Sequence, residues 1–188
     1  MKAPGCERLA LAELTDYAAG DLPETEAAAI EEHLFACADC GARAAEFDAL
    51  GRAIGAAMRS AQVGGFVTDA VLNRLAREGV RVRSFALSPG GSVACAVWDA
   101  DELMALRLRG DFSGAGEVTL SQRIAGTEVS RATGEVALGH GEIIYAIPAA
   151  WVRELPIAEI ELLLTARGAG EDRPLGSYTL FHEGSLRR

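Results

Sequence analysis

A chain of 188 residues with 49% hydrophobic and 24% charged side chains has a globular composition, which excludes disordered and fibrous classes and leaves room for one large domain or two small ones. The net charge is −9, and residues 1–48 set three basic side chains (Lys2, Arg8, Arg43) against eleven acidic ones, a local net of −8 that repels phosphate backbones and favours a basic partner. No run of roughly eighteen apolar residues is present, and Met1-Lys2-Ala3-Pro4 lacks the apolar core of a signal peptide, so the expectation is a cytoplasmic protein without membrane contact.

Between Glu7 and Ala19 the residues Ala10, Leu11, Leu14, Tyr17 and Ala18 recur at three and four, the period of an amphipathic helix, and Gly20 is a natural stop. Pro23 suits the first turn of a second helix, and Glu24 and Glu26 complement its positive end. That helix is predicted over 23–36, with Ala27, Ile30 and Leu34 facing inward. Its end carries the motif around which the chain is organised, His33-x3-Cys37-x2-Cys40. His33 and Cys37, four apart on a helix, project from one face, and Cys40 follows where the next helix begins. Structural zinc is closed by four nitrogen or sulfur ligands, and Cys6 is the other Cys or His in the N-terminal half, so the expected ligand set is Cys6, His33, Cys37 and Cys40. Three thiolates and one imidazole around Zn²⁺ leave a charge of −1, which suits a structural rather than a catalytic ion. Such an ion would clamp two short helices that could bury little surface by themselves.

A third helix is predicted over 42–60 from the stripe Phe47, Leu50, Ile54 and Ala57 or Met58. The adjacent glycines of Ala61-Gln62-Val63-Gly64-Gly65-Phe66 read as a flexible hinge. Thr68 can cap a fourth helix over 69–78, closed by Gly79, with Val71, Leu72 and Leu75 on one side. From periodicity alone this stripe either folds back on the neighbouring domain or serves as a docking surface.

From Val80 the pattern turns from helical to alternating, so a domain boundary is placed near Gly79. Strands are predicted at 80–87, through Val93, Cys95 and Val97, and at 103–109, 116–124, 127–131, 134–139, 142–147, 157–166 and 176–183. Pro148 to Leu155 reads as a helical turn carrying Trp151. Many short strands without intervening helices indicate a β-sandwich. Cys95 reads as a core residue, His140 between Gly139 and Gly141 as a turn residue, and His182 as a surface residue.

Tyr17, Gly20, Asp21, Leu22, Pro23, Glu24, Glu26, Ile30, Glu32, His33, Leu34, Cys37 and Cys40 together resemble the signature of the zinc-binding anti-sigma domain, found in negative regulators of extracytoplasmic-function sigma factors. The resemblance spans residues 1 to about 79. It implies a three-helix bundle and a mobile fourth helix that lies on the sigma factor and covers its polymerase-binding surface. It also makes Cys6 the N-terminal ligand and Val71, Leu72 and Leu75 the sigma contacts. Many family members continue into a transmembrane helix and an external sensor. This chain has neither and so resembles the soluble class, in which a C-terminal module perceives a small-molecule or protein signal inside the cell. One such module is a cupin, but only His140 and His182 occur in residues 80–188 and a cupin's histidine cluster is missing.

The expected fold is therefore α+β in two domains: a zinc-bound helical bundle with a mobile fourth helix at 1–79, and an antiparallel β-sandwich, a sensor, at 80–188. The expected function is sequestration of a sigma factor, with no catalysis. Oxidants could attack zinc-bound Cys6, Cys37 or Cys40, eject the metal and release the sigma factor; a purely structural zinc is the alternative. An enzyme finds little support, because the glycine-rich turns lack a phosphate-binding lysine and no G-x-S-x-G elbow occurs. A nucleic-acid-binding zinc module would need basic side chains near the ligands, where Glu31, Glu32, Asp39 and Glu46 stand instead.

Overall fold

The computed structural model describes residues 9–60, 63–135, 141–167 and 172–186. Cys6 and His140 lie outside the described residues, as does most of the strand expected at 134–139. Helices come first and a mostly β region with two sheets follows.

Helix α1 covers Leu11–Ala19. Its first turn is closed by the Ala10 N–H donating to Glu13 Oε2 at 2.6 Å. Its last turn ends at Gly20, whose φ of +78° is open to glycine, with the N–H groups of Gly20 and Asp21 donating to the carbonyls of Tyr17 and Asp16. Helix α2, Glu24–Ala36, starts directly after Pro23. Helix α3, Ala38–Arg59, starts four residues earlier than the apolar stripe predicts, because only Cys37 is extended between the two helices and Cys40 already belongs to the first turn of α3. Tyr17 on α1 donates to Glu31 Oε1 on α2 at 3.3 Å, and partial burial followed by the Glu31 charge raises the phenol's pKa. Among the described residues of α1 to α3 and the corner between them, Leu14, Ile30, Cys37, Cys40 and Met58 are buried.

The glycine pair expected to be a hinge is instead the entry to a strand. β1, Gly65–Val67, pairs antiparallel with β7, Glu142–Pro148, setting Phe66 opposite Tyr145. Phe66 and Tyr145 stack tilted at a centroid distance of 5.3 Å. Helix α4, Asp69–Arg77, follows at once, its Val71 N–H donating to Thr68 Oγ1 at 3.4 Å as the cap residue predicts. In this conformation the fourth helix lies on the sheet. Leu72 and Leu75 are buried in one cluster with Met58, Val80, Leu103, Ala105, Ile144 and Ala146, and Val71 packs against its edge. Arg107 adds a polar tie by pairing with Asp69 at the start of α4 and with Glu142 at 2.8 Å.

The remaining strands are β2 (Val82–Leu87), β3 (Ser92–Trp98), β4 (Leu103–Arg109), β5 (Glu117–Ile124), β6 (Thr127–Glu135), β8 (Ala158–Ala166) and β9 (Arg173–Leu186), with the short helix α5 at Ala149–Glu154. One sheet has the order β1-β7-β4-β2, the other β3-β9-β8-β5-β6. Residues of both sheets, among them Leu106, Leu108 and Tyr145 from the first and Val97, Leu120, Leu162 and Tyr178 from the second, share one hydrophobic cluster.

The expectation of a wholly antiparallel arrangement is corrected at two places, since β2 pairs parallel with β4 and β3 parallel with β9. The turn at Ser88–Gly91 sends the chain from the first sheet to the second, and the turn after Trp98 sends it back. Two strands of one sheet separated by a strand of the other run the same way. Alternation of side chains records which face is buried but not which neighbour a strand takes.

Candidate metal centre

The break between α2 and α3 makes the site. His33 lies in the last turn of α2, Cys37 is the single extended residue (φ −122°, ψ 102°), and Cys40 lies in the first turn of α3. The Cys37 N–H donates to His33 O at 2.8 Å and the Gly41 N–H donates to Cys37 O at 2.9 Å, so Cys37 closes the last turn of α2 and opens the first of α3. Gly41 runs close to the end of α2: a Cβ there would lie 3.2 Å from the carbonyl oxygen of Leu34, a tight contact.

The ligand atoms of His33, Cys37 and Cys40 all lie within 4.8 Å of one another, with both cysteines buried and the histidine half-buried. Zn–S and Zn–N bonds of about 2.3 and 2.0 Å place tetrahedral ligand atoms roughly 3.3–3.8 Å apart, a spacing these side chains reach with small rotations. The donor set, one imidazole and two thiols on a rigid corner, fits zinc. The expected cofactor is met by three of its four residues, and the fourth, Cys6, lies outside the described residues. One hydrogen bond bears on how the preceding chain is held: Arg43 Nη1 donates to Leu9 O at 3.0 Å, tying the start of the described chain to the first turns of α3.

Further along α3, from Phe47 onward, the helices and β1 enclose an open groove. Thr15 and Ala18 of α1, Phe47, Leu50 and Ile54 of α3, Phe66 of β1, and Val71 and Leu75 of α4 line a cavity of about 500 Å³. Leu50 and Ile54 are 55% and 49% exposed, so the α3 stripe legible in the sequence is a surface for much of its length. Its rim is bridged by ion pairs between α3 and α4, Arg59 with Glu78 at 2.8 Å and Arg74 with Asp48 at 3.8 Å. Exposed pairs of this kind contribute little stability each and open easily. Of the three residues expected to meet a sigma factor, Val71 and Leu75 border the groove, whereas Leu72 belongs to the cluster on the sheet. Leu50 and Ile54 were not singled out as contacts, because helical period marks an apolar face without saying whether anything covers it.

In the β region Cys95 is a core residue as expected, 1% exposed. The surface reading of His182 is overturned: it is 2% exposed, and neither ring nitrogen has a hydrogen-bond partner among the described residues. Strand β9 alternates, and Tyr178, Leu180 and His182 fall on its inner face. Buried polar groups left unpaired typically cost about 1–3 kcal/mol each.

These features define a small zinc-stabilised helical module joined to a two-sheet β region. Residues 6–41 match the family model described as "Putative zinc-finger", a family typical of the N-terminal domains of anti-sigma factors, and the match includes Cys6 together with His33, Cys37 and Cys40. The resemblance read from the sequence thus holds for this segment. No curated protein matches the chain. Among solved structures, the N-terminal domain of phage TP901-1 ORF48 aligns over 55% of this chain and 99% of its own at 11% identity, with a TM-score of 0.38, too remote a likeness to define a fold or a function. Among the described residues no helix is long and apolar enough to cross a membrane.

Proposed function

We propose that the chain is an anti-sigma factor, which binds an extracytoplasmic-function sigma factor and withholds it from RNA polymerase without catalysing a reaction. The observation that carries this reading is the apolar groove between α3 and α4, on the helix whose first turn belongs to a zinc corner of the kind matched by the zinc-finger family. A stripe of half-buried Phe47 and exposed Leu50 and Ile54 bordering a groove with Val71 and Leu75 has the shape and chemistry that take the apolar face of a partner helix. The acidic N-terminal region complements the basic surface a sigma factor needs for promoter DNA, and such complementarity speeds encounter. Val71 would touch the partner from its present position. Leu72 and Leu75, both buried here, would join it when α4 leaves the sheet.

Cys6 completes the zinc site in this reading. Leu9 is tethered to Arg43, three residues beyond Cys40, and the three-residue step from Leu9 to Cys6 spans at most about 10 Å. Burial of the Cys37 and Cys40 thiols favours a structural zinc over an oxidant-sensitive one. The β region would be a sensor for a cytoplasmic signal, with its two sheets stacked as a sandwich.

The test is co-expression of the full chain with each extracytoplasmic-function sigma factor of its source genome. A 1:1 complex that blocks sigma-dependent transcription in vitro is the expected result. If no sigma factor forms a complex, or if the chain retards DNA by itself only when zinc is bound, the reading fails.

A further inference from the structure

The β region brings together three soft or borderline metal donors that no reading of the helical half uses. Cys95 on β3 and Met104 on β4 belong to opposite sheets, and the Cys95 thiol donates to the Met104 thioether at 3.4 Å between the sulfur atoms. His182 on β9 is the register partner of Cys95 in the parallel pairing. Paired residues of adjacent strands project from the same face, so the imidazole stands beside the thiol on the inner face of its sheet. All three side chains are buried, and His182 keeps both nitrogens without a hydrogen-bond partner among the described residues. The pairing of β3 with β9 shifts register directly after Cys95, a local irregularity of the sort that re-aims side chains at sites.

We propose that Cys95, Met104 and His182 form a binding site for a monovalent soft metal ion, Cu(I). Thiolate and thioether sulfur select Cu(I), and imidazole is compatible with it. Charge decides between metals at a site this buried: one thiolate, one thioether and one imidazole carry a single negative charge, which Cu(I) cancels, whereas Zn²⁺ would leave a positive charge without a counter-ion among apolar neighbours. On binding, the Cys95 S–H bond breaks, its proton passes to solvent, and a Cu–S bond forms with no change of oxidation state. The metal takes a lone pair of one His182 nitrogen, which accounts for a buried imidazole that the protein itself leaves unsatisfied. The site does not depend on whether the helical half binds a sigma factor.

The experiment is anaerobic titration of the zinc-loaded full chain with Cu(I) buffered by bicinchoninate, with zinc followed by metal analysis. One Cu(I) per chain is expected with zinc retained, and X-ray absorption of the copper should report two sulfur ligands and one nitrogen. Met104→Leu, nearly equal in volume and so expected to fold, and His182→Leu should each weaken Cu(I) binding at least tenfold, and Cys95→Val should abolish it. The proposal is overturned if Cu(I) enters only as zinc leaves, if it binds the three variants as it binds the parent chain, if the site takes a second Zn²⁺ instead, or if no copper is withdrawn from bicinchoninate.

Discussion

A Cβ on Gly64 would lie 2.9 Å from Ile147 Cγ2 and 3.0 Å from the Ala146 carbonyl oxygen, so the chain entering β1 runs against β7 at a distance only glycine allows. The second obstacle is backbone, which yields less readily than a side chain. This approach holds α4 on the sheet, because α4 follows β1 without a linker beyond Thr68.

Gly64→Ala should therefore lift β1 and loosen α4 while leaving β2–β9 intact. A loss of roughly 1–3 kcal/mol in local stability is expected, as for overpacking elsewhere. Hydrogen exchange read residue by residue checks this: amides of 66–77 should exchange faster, and those of β8 and β9 should be unchanged.

Zinc removal should act on the opposite end of the molecule. Leu14, Ile30, Cys37 and Cys40 are a small core to hold α1, α2 and the start of α3 without an ion. A strong chelator, or His33→Ala, should reduce far-UV helical signal, while the near-UV signal of Trp98, Trp151 and Tyr178 in the β region persists. Retention of full helicity in zinc-free protein would contradict the clamp.

Leu50→Asp with Ile54→Asp should leave the thermal midpoint within a few degrees, since both side chains are half-exposed. Affinity for the cognate sigma factor should fall at least tenfold, about 1.4 kcal/mol, measurable by calorimetry. Leu72→Asp differs in kind, because it places a charge in the cluster of Leu103, Ala105, Ile144 and Ala146 and should destabilise the fold by more than about 3 kcal/mol.

Tyr178 gives a pH prediction. Burial pushes its phenol up from 10.0 to about 12, and its hydroxyl donates to Arg109 O at 2.6 Å. The folded state holds this proton more tightly than the unfolded state. The contribution is therefore fully present below pH 10 and is lost as pH rises from about 10 to about 12. Denaturant titrations at successive alkaline pH values should show stability falling over that range, with a shallower fall in Tyr178→Phe.

Much was legible from residues alone because the signals are local. The ligand spacing of His33, Cys37 and Cys40, the stop at Gly20, the start at Pro23, the Thr68 cap and the bounds of β4, Leu103–Arg109, all follow from side chains within a few positions of each other. What only the tertiary structure decided is pairing at a distance. The glycines before Phe66 allow a hinge or a close approach, and β7, some eighty residues later in the chain, makes them the latter. The apolar faces of α3 and α4 look alike in periodicity, yet the sheet covers Leu72 and leaves Leu50 and Ile54 in water. Nothing near His182 in sequence marks it as buried beside Cys95, since that contact depends on which strand β9 takes as its parallel neighbour. Hydrogen-bonding geometry and period are written into short stretches of chain, whereas coverage of a surface depends on elements far apart in sequence arriving at the same place.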